Sequence, residues 1–105
     1  MDAKPIYDGL LNLVRNFART HCRRAFDPHV ILKTFQFLRT DPAARRIYLR
    51  DIGGGSGMER GHRIKHIINP MIAHNVAAEL KAERTGEEVD VQGEYIESYS
   101  VLAPR

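Results

Sequence analysis

The stretch Gly53-Gly54-Gly55-Ser56-Gly57, followed at once by Met58, divides the chain into two parts of different composition. Glycine and serine restrict the backbone very little, because neither has a side chain large enough to bury or to fix in one rotamer. Such a composition is typical of a flexible tether. A separate polypeptide begins with methionine, and Met58 follows the run directly. We therefore interpret residues 53–57 as a linker, of the kind introduced by engineering, that joins residues 1–52 to residues 58–105 so that they fold as one domain.

The overall composition is that of one globular domain. A chain of 105 residues, 43% hydrophobic and 28% charged, is long enough to bury one modest hydrophobic core but not two independent cores. No window approaches the ~18 consecutive apolar residues of a membrane-spanning helix, and the N-terminus lacks the pattern of a signal peptide. We expect an intracellular protein, cytoplasmic or nuclear. The single cysteine, Cys22, cannot form an internal disulfide and is expected to be a small buried thiol.

Three helices are predicted in the first segment. The first runs from Pro5 to about Ala25, because apolar residues recur there at the helical period, at Ile6, Leu10, Leu13, Val14 and Phe17. Asp27-Pro28 and Asp41-Pro42 then repeat one start signal, in which the aspartate accepts hydrogen bonds from free amides and the proline occupies N1. These pairs predict a central, nearly all-apolar helix over residues 28–38 and a basic amphipathic helix over residues 42–51.

The second segment is predicted to begin as helix and to end as strand. Helical periodicity runs from Glu59 to about Arg84, where Thr85-Gly86 supplies a stop signal. Asn69-Pro70 interrupts it, and we expect a break or sharp kink there with Asn69 as a new N-cap. Residues 87–105 change to period-two alternation, which predicts an extended segment or a small hairpin that turns at Gln92-Gly93. The fold class is therefore mainly α, a compact bundle of four or five short helices with a C-terminal extended segment or small β-hairpin.

The two segments differ in charge, and this difference suggests a function. Residues 1–52 carry ten Lys and Arg against five acidic residues, whereas residues 58–105 carry six against eight. Because opposite potentials favour association, we interpret the chain as a protein–protein interaction module, a single-chain heterodimer or rearranged domain that serves as a scaffold or a regulatory subunit interface. Aromatic residues and Met anchor such interfaces. The predicted anchors are Phe17, Phe35, Phe37 and Tyr48 in the first segment and Ile68, Met71, Ile72 and Tyr95 in the second.

Nucleic-acid binding is the alternative interpretation. Helices followed by a hairpin occur in this order in winged-helix domains, which act in transcription or replication. A basic cluster on and before the helix over residues 42–51 has the composition of a surface that binds phosphates, with candidate contacts at Arg39, Arg45, Arg46 and Arg50. The predicted hairpin is acidic, however, and would repel phosphate. The interpretation that we prefer explains both features: the arginines form a solvated face, or they pair with those acidic residues inside the molecule.

The glycine run also has a cofactor interpretation. Together with Ile47-Tyr48-Leu49 and Asp51-Ile52 before it, the run resembles the first motif of Rossmann-like S-adenosylmethionine methyltransferases, in which a strand ends in a glycine-rich turn against the cofactor. The resemblance covers about eleven residues. It implies that Asp51, Gly53, Gly55 and Gly57 line the cofactor. Arg50 stands where a buried strand needs an apolar residue, and the residues after the run are too few for the βα units of that fold. We rank this interpretation below the linker.

No catalytic or metal site is predicted. His62 and His66 stand four residues apart on a predicted helix, a spacing that zinc can use, with His74 two turns on. No Cys or carboxylate completes a set of ligands, and solvated histidines are the commoner case on helix surfaces. Cys22 and His21 face different directions on their helix. We therefore predict no enzyme, no metal and no cofactor.

Overall fold

The computed structural model describes residues 4–91 and 98–105, with side chains from residue 7 onward within those ranges. It is mainly helical and ends in a two-stranded antiparallel hairpin, which confirms the predicted fold class. The elements follow one another as α1 (Lys4–His21), α2 (Val30–Thr40), α3 (Pro42–Ile52), α4 (Gly57–Arg63), a π-helical turn (Ile64–Ile68), α5 (Asn69–Glu79), β1 (Ala82–Asp90) and β2 (Ser98–Pro104).

One hydrophobic core is built by both segments of the chain. α1 packs against α5 and α3, α2 packs against α3 and β2, and the hairpin packs against α5. Tyr48 of α3 is fully buried, and its hydroxyl donates a 2.7 Å hydrogen bond to Oδ1 of Asn69. The core contains side chains from every element except α4, among them Leu10, Val14, Phe35, Leu38, Tyr48, Ile68, Ile72, Val76 and Leu102.

The first helix and the start of the second differ from the prediction. α1 ends at His21 rather than near Ala25, and α2 begins at Val30 rather than at Pro28. The carbonyl of Pro28 accepts a 3.0 Å hydrogen bond from the amide of Leu102 in β2, and the amide of Val30 donates to the carbonyl of Asp27 at 3.2 Å, three residues back. Asp27-Pro28 therefore forms a turn between the helices. The second start signal is confirmed, because the Asp41 carboxylate caps α3 by accepting from the amide of Ala44 at 3.0 Å.

The helix of the second segment passes through Asn69-Pro70 without a break, so the prediction of a new N-cap at Asn69 is wrong. Ile68 and Asn69 both have right-handed helical dihedral angles. The amide of Asn69 donates to the carbonyl of Ile64, five residues back, which is the pattern of a π-helical turn. A wider turn lets the chain continue past a proline that supplies no N–H and that crowds the preceding carbonyls.

The helix also ends earlier than predicted. It stops at Glu79, and Lys81 adopts a positive φ of 51° before the chain enters β1. The predicted stop signal, Thr85-Gly86, lies instead in an irregularity of β1, where Gly86 has a φ of 88° and the register with β2 shifts between Arg84 and Glu88. The strands are antiparallel, with Val89 opposite Tyr99, as a hairpin requires. The predicted turn at Gln92-Gly93 lies outside the described residues.

None of the helices in the described part of the chain is both long enough and apolar enough to cross a membrane.

Candidate nucleic-acid interface

A four-residue turn, residues 53–56, connects α3 to α4. Gly53 caps the C-terminus of α3 with a φ of 76°, and Gly55 has a φ of 114°. Residues that have a Cβ rarely adopt such positive φ values. Ser56 is the N-cap of α4, and its hydroxyl accepts a 3.1 Å hydrogen bond from the amide of Glu59. Gly57 is already the first residue of that helix. The glycine-rich stretch therefore contains the end of one helix and the start of the next.

Arg63 connects α4 to this turn. Its Nε donates a 2.8 Å hydrogen bond to the carbonyl of Ile52, the last residue of α3, and its Nη2 donates to the carbonyl of Gly54. Carbonyls at a helix C-terminus have no partner within the helix and carry the negative end of its dipole. The guanidinium of Arg63 thus holds the end of α3 and the start of the following helix in one relative position.

The helix that follows the turn is exposed over its first half. Between Gly57 and Ile68, the first buried residue is Ile68, and α4 itself buries no residue. Met58 is 87% exposed and Ile67 is 45% exposed. The second half, from Ile68 to Val76, packs into the core. One end of a long helix is therefore fixed while the other end offers its side chains to solvent.

One exposed face of this helix carries a methionine, a glycine, a histidine and a lysine. Met58, Gly61, His62 and Lys65 are spaced i, i+3, i+4 and i+7, so they lie on the same face, and all four are exposed. The ring centroids of His62 and His66 are 4.7 Å apart. Among the described residues, no group of three or more His, Cys, Asp and Glu side chains is placed to hold a metal ion.

The arginines predicted as phosphate contacts lie close to this helix in the sequence but differ in their surroundings. Arg45 and Arg46 of α3 are exposed, and Nη1 of Arg45 donates to the carbonyl of Arg39 at 3.3 Å. Arg50 pairs with Asp51, its Nε 3.1 Å from Oδ1. Within residues 4–91 and 98–105, no ion pair joins Arg39, Arg45 or Arg46 to a carboxylate. The expected pairing of these arginines with the acidic hairpin is thus not found there.

The hairpin is attached to the segment before α2. Besides the amide of Leu102 that donates to Pro28, Nδ1 of His29 lies 2.8 Å from the hydroxyl of Tyr99. Asp27, next to them, accepts from Nζ of Lys33, from the amide of His29 and from Nε2 of His21. Partial burial alone raises the pKa of Asp27, but these hydrogen bonds outweigh it and lower the pKa to about 2.

The predicted interface anchors fall into three groups. Phe35, Tyr48, Ile68 and Ile72 lie in the shared core. Phe17 and Phe37 are half-buried and stack on each other, with ring centroids 4.5 Å apart, and Met71 is also half-buried. Tyr95 lies outside the described residues. The structure thus brings anchors from both segments into one core.

The strand that the methyltransferase resemblance requires is absent from the described structure. Residues 42–52 form helix α3 directly before the glycine run, and the described sheet is a two-stranded antiparallel hairpin. The motif needs a strand of a parallel sheet at that position, so Asp51, Gly53, Gly55 and Gly57 are not arranged as that family arranges them. The Asp51 side chain instead faces the interior, where its Oδ2 has no hydrogen-bond partner among the residues that the structure describes.

Three residues of this site, Ser56, Arg63 and Gly61, were not among the predicted functional residues. For Ser56 a signal existed, because Ser56-x-x-Glu59 has the spacing of a capping box and predicts a helix start inside the supposed linker. For Arg63 there was none, since its acceptors are backbone carbonyls brought near by the turn. Comparison of the chain with protein-family models, with characterised proteins and with solved structures gave no match.

Proposed function

We propose that this chain is a winged-helix-like domain that binds duplex DNA through the exposed half of the helix after the glycine-rich turn. The observation that carries the proposal is that α3, a four-residue glycine-containing turn and a helix whose first half is exposed follow one another in the chain. A helix-turn-helix motif has two helices joined by such a turn, and its second helix enters the major groove. The hairpin after the helix occupies the position of a wing.

The dimensions of the exposed helix support a duplex target. Residues 57–67 extend about 16 Å along the helix axis, at ~1.5 Å per residue. The major groove of B-form DNA, about 12 Å wide, accepts one helix with its side chains. The major groove of double-stranded RNA is too deep and narrow for side chains to read. We therefore expect duplex DNA rather than duplex RNA as the ligand.

The charges support contacts from the helices rather than from the hairpin. Arg45 and Arg46 are exposed on α3, the first helix of the proposed motif. The described part of the hairpin exposes four acidic residues, Glu83, Glu87, Glu88 and Asp90. Phosphates attract the first set and repel the second, so the hairpin is expected to lie away from the sugar–phosphate backbone. The wing thus has a structural role in this proposal, since it packs against α5 and the start of α2.

Duplex binding at two salt concentrations tests the proposal. Fluorescence anisotropy with a labelled random-sequence duplex is expected to give binding at ~50 mM salt that falls by orders of magnitude at ~200 mM salt. Arg46→Ala is expected to reduce the slope of log affinity against log salt by about 0.9, one phosphate contact. Arg84→Ala is the matched control, because Arg84 is an exposed arginine of the hairpin that pairs with Glu88. Absence of duplex binding at low salt would refute the proposal.

A second proposal is that the chain is an association module of two tethered segments, residues 1–52 and 58–105. It is favoured by polar contacts that join α1 to α5: Nη2 of Arg15 donates to Asn75 at 2.5 Å, and Arg19 pairs with Glu79 at 2.7 Å. Site-specific cleavage within residues 53–57 is the test. A passive tether predicts two fragments that stay folded and co-migrate, whereas loss of the fold after cleavage would exclude it.

A further inference from the structure

Two histidine rings lie side by side on the exposed half of the helix after the glycine-rich turn. His62 and His66 are both exposed, and their ring centroids are 4.7 Å apart with a tilt of 37° between the planes. Zn²⁺ lies ~2.0–2.1 Å from each ligating nitrogen, so two imidazoles of one tetrahedral zinc site have centroids about 5 Å apart. The pair therefore already has the separation that a shared zinc ion requires, and the ion can reach it from solvent.

One chain supplies only part of such a site. A closed zinc site has four ligands in a tetrahedron. In the part of the chain that the structure describes, no group of three or more His, Cys, Asp and Glu side chains is placed to hold a metal ion. Two positions on the ion thus remain to be filled from outside the chain. A second copy related by a two-fold axis brings the same two histidines, which completes a set of four nitrogens.

The helix face around the pair is self-complementary for such a copy. Four exposed residues follow one another at intervals of four, Met58, His62, His66 and Pro70. Residues at this interval lie along one side of a helix, and the wider π-helical turn at Ile64–Ile68 offsets part of the drift that such a series has around the axis. In an antiparallel pair of these helices, His62 lies opposite His66 of the second copy. Met58 then lies opposite Pro70, so an apolar contact flanks the metal on each side.

We propose that His62 and His66 form half of a four-histidine zinc site, and that a second copy of this chain completes it in an antiparallel helix pair. The ion takes four imidazole nitrogens as its ligands and links the two chains. Because α4 buries no residue, the contact covers side chains that the fold leaves exposed. The inference does not rest on the proposed function. A helix covered in this way cannot lie in a DNA groove, so the zinc-linked dimer is a form that does not bind DNA.

Sedimentation velocity of the full-length chain, first in EDTA and then with added Zn²⁺, tests the inference. The wild type is expected to be monomeric in EDTA and dimeric with one Zn²⁺ ion per two chains, a stoichiometry that calorimetry measures. His62→Ala and His66→Ala are each expected to abolish the zinc-dependent dimer, because each variant removes two of the four ligands. Tm in EDTA is expected to match the wild type in both, since these residues are exposed. Loss of the dimer then does not arise from misfolding.

His74→Ala is the matched control. His74 is an exposed histidine on the packed half of the same helix, and it is not one of the four positions that meet in the antiparallel pair. This variant is expected to keep the zinc-dependent dimer. A wild type that stays monomeric with Zn²⁺, or that binds one ion per chain without dimerising, would overturn the inference. So would a zinc-dependent dimer that persists in His62→Ala or His66→Ala, or one that is lost to the same extent in His74→Ala.

Discussion

Gly55→Ala and Gly54→Ala are expected to have opposite effects on stability, although the two glycines are neighbours in the same run. Gly55 has a φ of 114°, and a Cβ there would lie 2.6 Å from Oε2 of Glu59. Forcing alanine into such a conformation costs about 1–3 kcal/mol, and the flexible Glu59 side chain can move aside. A Cβ added at Gly54 would have no heavy atom of the other described residues within 4 Å, and Gly54 does not have a positive φ. Alanine there is expected to be neutral or to stabilise by up to ~1 kcal/mol.

Thermal and urea denaturation of the two variants beside the wild type measure this difference. Gly55→Ala is expected to lower the free energy of unfolding by about 2 kcal/mol, and thus Tm by roughly 10 °C in a chain of this size. Gly54→Ala is expected to keep Tm or to raise it slightly. The urea m-value should stay constant in both, since neither change alters the surface exposed on unfolding.

Equal free energies of unfolding of Gly55→Ala and Gly54→Ala would contradict this expectation. A passive tether has no fixed dihedral angles, so alanine at either position would then have the same small effect. Equal stabilities would mean that residues 53–56 are not a defined turn between α3 and α4. The helix-turn-helix proposal would then lose its structural basis, and the tether would be the better explanation.

Three further outcomes are expected. Arg63→Ala should lower the free energy of unfolding by about 1–2 kcal/mol, because its hydrogen bonds to the carbonyls of Ile52, at the end of α3, and of Gly54, in the turn, are lost. The slope of log affinity against log salt for duplex binding should stay unchanged, and a reduced slope would instead make Arg63 a phosphate contact. Asp27→Asn should weaken the fall in the free energy of unfolding at acid pH. The lowered pKa of Asp27 stabilises the fold above pH ~4, and this contribution, about 1 kcal/mol after screening by solvent, is lost as the pH falls toward 2. A difference in unfolding free energy between wild type and variant that stays constant from pH 5 to pH 2 would contradict this expectation. Ser56→Ala should cost about 1 kcal/mol as the loss of an N-cap, and no change in Tm would argue against the helix start at Gly57.

Local sequence patterns were sufficient to predict the class of the fold and most of its helices. Apolar residues at the helical period identify α1, and Asp41-Pro42 marks the start of α3 correctly because an N-cap and its amides lie within four residues. Alternation in the last residues correctly indicated extended structure. These signals work because the hydrogen bonds that they describe are made between near neighbours in the chain.

Contacts between residues that are distant in the sequence set the start of α2, and the course of the helix through Pro70 was not evident from the sequence. Asp27-Pro28 has the same local signal as Asp41-Pro42, but the Pro28 carbonyl bonds to Leu102, a residue at the other end of the chain. At Pro70 a π-helical turn keeps the helix continuous, and the last residue of that turn, Ile68, is buried in the core with Ile72 of α5.

The geometry of the candidate site depends mainly on contacts between residues that are distant in the sequence, which no local sequence pattern predicts. A run of glycine and serine has the same composition whether it is a free tether or a turn with fixed dihedral angles. The carbonyls that Arg63 binds and the helix face that stays exposed follow from how α3 and α5 pack on α1. Because packing selects one backbone conformation from the many that glycine permits, only the folded chain distinguishes the two.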